Sequence, residues 1–200
     1  MGGVTVDGAT ERRQPPRQRI LDTAYQLISR RGVRDVGVEE VIAKAGIAKA
    51  TLYRHFASKT QLVLAVLEQR EQLWTLGLVE AEARRRGATA EDQLLAVFDV
   101  FDEWFRSDAF DTCTFVNVLP EMGADHALGE ASIRHLKNIR SVIARLATEA
   151  GLRDPEEFAL SWHILMKGSI VSAAEGDTEA ARRAQAMAAS LIATHRLTPA

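Results

Sequence analysis

The chain has 200 residues, 46% hydrophobic and 26% charged, proportions of a globular protein with room for a small head and a larger body. No stretch approaches the roughly 18 consecutive apolar residues of a membrane span, and the polar start with Arg12 and Arg13 lacks the apolar run of a signal peptide. Cys113 stands alone, which excludes an internal disulfide or a cysteine-rich zinc site; the expectation is a cytoplasmic protein without membrane contact, metal or cofactor. The net charge of −2 hides an asymmetry, because residues 1–60 hold eleven Lys/Arg against six Asp/Glu while residues 61–200 hold fourteen against twenty-one. A basic head before an acidic body suggests a polyanion partner for the head alone.

Residues 1–16 lack helical periodicity and are rich in Gly, Thr and Pro, so a flexible arm is expected. Its arginines, with Arg17 and Arg19, could reach a minor groove as basic arms do, or form a leader that touches nothing. From Arg17 the spacing of Ile20, Leu21, Ala24, Leu27 and Ile28 predicts a helix that stops at Gly32. A second short helix starts near Val38 with Val41, Ile42 and Ala45 inward, and ends at Gly46. A third covers about 48–56. A fourth begins at Ser58, where Ser58-Lys59-Thr60-Gln61 has the form of a capping box. Leu62, Ala65, Val66, Leu73 and Leu76 are its expected core face, as far as Arg86.

Beyond it, Thr89 opens a helix whose face is Leu94, Val97, Phe98, Phe101, Trp104 and Phe105, followed by an irregular stretch over 108–125 with Pro120 and Gly123. Leu136, Ile139, Ile143 and Leu146 mark a long helix closing at Gly151. Asp154-Pro155-Glu156-Glu157 then reads as a start signal with Asp154 as cap, and Thr178 as the cap of a last, Ala-rich helix to about Thr194. No segment alternates with period two, so the expected class is all-α with about nine helices.

Two short helices around the tight turn Ala45-Gly46-Ile47, steadied by a longer helix before them, form a helix-turn-helix candidate. At about 100° per residue, Ala48, Leu52 and Phe56 share one face of the third helix, which must bury. Ala50, Thr51, Tyr53 and Arg54 project away, with Lys49 and His55 at the flanks. Cations neutralise phosphates, and Thr51 and Arg54 suit base edges in the major groove. Lys59 sits in the first turn of the next helix, where free N–H groups favour an anion. The same charges would also serve as a solvated face.

Residues from Arg17 to about Gln72 resemble the DNA-binding domain of the TetR family of bacterial transcriptional regulators. The stretch VEEVIAKAGIAKATLYRHFASKTQLVLAV is very similar to that family's motif, with Gly46, Thr51, Leu52, Tyr53, His55, Phe56 and Lys59 at its spacing. The resemblance implies that Lys49, Ala50, Thr51 and Arg54 face bases or the groove while Tyr53, His55 and Lys59 hold phosphates, with rim packing the alternative for Tyr53 and His55. Val38 and Ala48 depart from the pattern, since the family usually offers hydroxyl residues there; a missing cap costs about 1 kcal/mol.

The resemblance further implies a division into an arm (1–16), a helix-turn-helix DNA-binding domain (17–62) and a ligand-binding and dimerisation domain (63–196). The partners would be a palindromic double-stranded operator, a second copy of the chain and an unknown small-molecule effector. Repression is the family's commoner habit. The last two helices would form the homodimer interface, the penultimate one being apolar nearly all round and the last rich in alanine at 180, 181, 184, 188 and 189. Phe98, Phe101, Trp104, Phe105, Phe115, Met122, Trp162 and Met166 could line a pocket, with Cys113, Asn117, Glu121 and His163 as polar anchors, though such a stripe also makes ordinary core. A regulator without a small-molecule effector, controlled by a protein partner or by abundance, is the alternative. No His is spaced from an acid or nucleophile in a catalytic arrangement, and no Gly-rich phosphate loop is present, so an enzyme is not expected.

Overall fold

A computed structural model describes residues 14–108, 110 and 113–196; most of the expected arm lies outside the described residues. These form nine helices, without strands beyond a single bridge pair, Leu152 with Arg196. The first three are α1 (Pro16–Arg31), α2 (Val38–Ala45) and α3 (Lys49–His55). The fourth, α4, is a rod of three consecutive segments: α-helical Lys59–Arg70, π-helical Glu71–Glu80 and α-helical Ala81–Arg86. Then follow α5 (Ala90–Phe105), α6 (Thr114–Met122), α7 (Ala127–Glu149), α8 (Pro155–Ala174) and α9 (Ala180–His195).

Local signals explain most boundaries. Pro16 occupies the first turn of α1, where its missing N–H costs nothing. Ser58 accepts from the Gln61 amide at 3.1 Å, and the Gln61 side chain reaches back to the Ala57 amide, one residue before the usual target. Thr89 and Asp92 form a complete capping box. Two expected caps are corrected. Asp154 adopts φ 50 and its side chain makes no cap bond, so Pro155 and the acidic first turn start α8. Thr178 does not cap α9: Glu179 stands at the cap position without a side-chain cap bond, and in the turn before it the Asp177 carboxylate accepts the Glu179 amide at 2.9 Å.

Two corrections concern packing. The stretch expected to be irregular contains α6, with Pro120 inside it. Burial of Phe115 and Val118 in the head's core outweighs the proline, which sits near the C-terminal end of the helix. On α4, Leu73 and Leu76 are exposed, at 61% and 39%, whereas Val63, Val66, Leu67, Glu71, Thr75, Val79 and Ala83 are buried. Steps of four residues from 63 to 83 stay on one face because the π-helical segment, bonded i to i+5, takes more residues per turn than an α-helix.

Two apolar clusters result. One joins α1–α3 and the start of α4 to Phe115, Val118, Leu128, Ala131 and Leu136 of α6 and α7. The other fills the body around Phe98, Phe101, Ile143, Phe158 and Trp162. Packing is therefore continuous across the expected boundary at residue 62, and the rod α4 belongs to both clusters.

Candidate nucleic-acid interface

The tight turn between α2 and α3 is built by Gly46 at φ 61, a conformation that disfavours a side chain. Its amide bonds back to the Ala43 carbonyl at 3.2 Å, and the Ile47 amide to Ile42 at 3.3 Å. Arg19, expected as part of a basic arm, instead belongs to α1 and donates to the carbonyls of Ala45 and Gly46. It ties the supporting helix to the turn. Arg17 stands 5.5 Å from the Phe56 ring centroid.

The α3 helix has seven residues and no side-chain cap at Ala48. Leu52 and Phe56 are buried at 1% and 4% exposure. Each contributes about 1.5–3 kcal/mol, which outweighs the missing cap at about 1 kcal/mol. Ala48, expected on the same inward face, is exposed, because the chain is still extended there (φ −75, ψ 146).

The outward face carries the polar set. Lys49, Ala50, Tyr53, Arg54 and His55 are exposed, while Thr51 and Lys59 are half-buried. Tyr53, at 43% exposure, is not packed into the rim. The Lys49 ammonium lies 6.0 Å from the Tyr53 ring centroid and 3.3 Å from a Glu39 oxygen. A backbone hydrogen bond within Glu39, and after it the contact with Lys49, hold the exposed Glu39 carboxyl below its usual range. Among the described residues Arg54 has no carboxylate partner. Three cations, a phenol, a hydroxyl and an imidazole thus occupy one end of the head, a set suited to phosphates and base edges.

The body holds a cavity of about 30 Å³, space for a water or two. Of the residues expected to line a ligand pocket, Phe101, Cys113, Phe115, His163 and Met166 line this small cavity, and Phe98, Phe105, Asn117, Met122 and Trp162 do not. Phe98 and Trp162 are fully buried, with ring centroids 5.3 Å apart, and Phe158 stands 5.3 Å beyond, so these rings fill the core. Phe105 packs on Trp104 and Phe110. Met122 packs against the head's cluster, and Asn117 is exposed. Glu121, expected as a polar anchor, binds the head instead: its oxygens accept the amides of Val33 and Arg34 at 2.9 and 2.6 Å.

Sequence reasoning missed Trp74, Thr75, His135 and Lys167, which also line the cavity. The buried Glu71 carboxylate meets His135 Nδ1 at 2.5 Å and accepts from Asn138 Nδ2 at 2.6 Å, joining α4 to α7. Glu68 lies within 4.8 Å of this pair, and both Glu71 oxygens are already hydrogen-bonded within the protein. A buried charge at an apolar-face position was the available signal, hidden by the change of helical pitch. Burial, with Lys167 and Arg140 adding to it, pushes the His163 imidazole down to about 3, and burial pushes the Cys113 thiol up.

Comparison with known proteins adds a family. Residues 20–66 match the pattern of "Bacterial regulatory proteins, tetR family". The chain is 28% identical to the HTH-type transcriptional regulator SrpR of Pseudomonas putida over 68% of its own length, and spans 63% of SrpR, less than two thirds. It is 30% identical to the HTH-type transcriptional regulator TtgW, also of Pseudomonas putida, over 62% of its length, covering 91% of that protein. Among solved structures, a TetR-family transcriptional regulator from Streptomyces coelicolor superposes with a TM-score of 0.84 at 26% identity, over 91% of this chain and 96% of that one.

Proposed function

Because this chain belongs to the TetR family of DNA-binding transcriptional regulators, we propose that it acts as a homodimeric repressor whose α3 helices enter successive major grooves of a palindromic operator. The observation that carries this reading is the two-sidedness of α3: Leu52 and Phe56 seal its inner face, and Lys49, Thr51, Tyr53, Arg54 and His55 form its outer one. Lys59 adds a charge at the start of α4. One head offers few contacts, so a two-fold pair about one helical turn apart supplies the rest. A dimer seated on an operator physically excludes polymerase, which is how occupancy becomes repression.

The α8 helix supports the dimer. Leu160, Ile164 and Val171 are 50%, 66% and 47% exposed along one side, beside Met187 of α9 at 59%. Exposed apolar residues at this density along one face mark an interaction surface. The alanines of α9 contribute differently from expectation: Ala180, Ala181, Ala184 and Ala188 bury against the chain's own core, and Ala189 is exposed.

Release from DNA by a small-molecule effector is the regulatory half of the proposal, with α4 as lever because it belongs to both clusters. An effector must favour a body arrangement that separates the two α3 helices from groove spacing. The body cavity of about 30 Å³ favours a second reading in this conformation, control by a protein partner or by abundance. Fluorescence anisotropy with the DNA upstream of the chain's own gene, then with duplexes selected from a random pool, tests the first half. Tight binding that weakens steeply with salt supports it; failure on every selected duplex overturns it.

A further inference from the structure

We propose that a cleft at the junction of head and body binds a planar aromatic carboxylate. The cleft encloses about 440 Å³, within the range of small-molecule sites and far larger than the body cavity. It lies where Tyr25 of α1, Arg70 and Trp74 of α4, and Val100 and Trp104 of α5 meet, with Leu73 alongside. This places it outside the body core, against residues of both units.

Arg70 sets the charge of the occupant. Its guanidinium carbon stands 4.8 Å from the Tyr25 ring centroid and 4.7 Å from that of Trp74, within reach of a cation–π contact with both rings. The five N–H donors lie in the guanidinium plane, and among the described residues no carboxylate or carbonyl takes them. Among the described residues the one acid lining the cleft, Glu103, has both oxygens held by Arg86 at 2.7 Å. Among the described residues the cleft therefore presents a cation without a carboxylate partner, which repels amines and favours a two-oxygen anion able to match the guanidinium fork.

The walls set the rest of the ligand. Trp74 and Trp104 have centroids 4.2 Å apart at 55°, and Leu73 exposes apolar surface beside them. A bare inorganic anion would satisfy Arg70 and leave the exposed Leu73 side chain, beside the largely buried indoles, uncovered. A flat ring bearing a carboxylate satisfies both, since aromatic faces add to simple burial. An occupant would touch α1, α4 and α5 together and so bias the position of the head; that consequence rests on the regulator reading, and the binding itself does not.

Calorimetric titration of the full chain with 2-naphthoate, in the absence of DNA, tests the site. The expected result is one 2-naphthoate per chain, weaker binding of the neutral isostere 2-naphthamide, and affinity lowered about tenfold or more by Arg70→Gln through loss of the charge-assisted fork. Leu73→Glu, a change at an exposed side chain that leaves the core intact, is expected to weaken binding through like charge. Absence of binding at millimolar 2-naphthoate, equal binding of the amide, or unchanged affinity in both variants would overturn the proposal. A chain that took up 2-naphthoate and bound no duplex would refute the regulator reading and leave the cleft standing.

Discussion

Glu121 grips Val33 across 88 residues of sequence, its carboxylate accepting the Val33 amide at 2.9 Å while the second oxygen takes the Arg34 amide at 2.6 Å. The C-terminal end of α6 thereby holds the turn that follows α1. Gly32, at φ 84, completes the fit, because a Cβ there would stand 2.9 Å from the same carboxylate. Body and head are joined by a charge-assisted contact as well as by apolar packing.

Replacing that carboxylate tests the joint. In Glu121→Gln one amide loses its acceptor, and hydrogen bonds to charged groups contribute roughly 1.5–3 kcal/mol, so a fall in the urea midpoint is expected. Gly32→Ala should be worse, since it adds backbone strain to the collision. Unchanged midpoints in both variants would show that the clamp holds nothing.

On DNA, the charges of α3 and α4 should separate by role. Lys59→Ala is expected to weaken binding on all sequences and to reduce the salt slope by about one. Arg54→Ala should cost about 1–3 kcal/mol on the best operator and relax its sequence preference. Glu39→Gln should raise affinity at low salt, because Glu39 holds Lys49 at 3.3 Å and repels phosphate. A Glu39→Gln chain that bound more weakly would mean the pair orients Lys49 for contact.

The exposed side of α8 predicts an assembly defect. Ile164→Arg places a charge at the most exposed of its apolar residues and should give monomers in analytical ultracentrifugation. The helical circular dichroism signal should persist, and operator affinity should collapse because one head alone makes too few contacts. A variant that stayed dimeric would move the interface elsewhere.

His163 predicts acid sensitivity. Its folded pKa, about 3, lies below the ordinary 6.5 because the imidazole is buried near Lys167 and Arg140. The unfolded chain therefore binds the proton more readily, so this residue's contribution is intact above pH 6.5 and is lost as pH falls from 6.5 towards 3. The shift sets an upper bound of about 5 kcal/mol. Urea titrations at about pH 7 and about pH 5 should show a smaller loss for His163→Gln than for the parent; equal losses would exclude the histidine as the cause.

Sequence alone determined most of the elements and the head. Helix periodicity, Gly46 and the alternation of Leu52 and Phe56 with Lys49, Tyr53 and Arg54 are local patterns, readable because neighbours within one or two turns decide them. Tertiary structure decided the rest. The π-helical pitch of α4 turned Leu73 and Leu76 outward and brought Glu71 to His135, 64 residues away. Packing made Phe98 and Trp162 filled core instead of pocket wall, and sent Glu121 to the head instead of to a ligand. Whether a large or polar side chain lines space, fills it or crosses to another unit depends on which helix lies opposite, and that distance is not encoded in the spacing along its own helix.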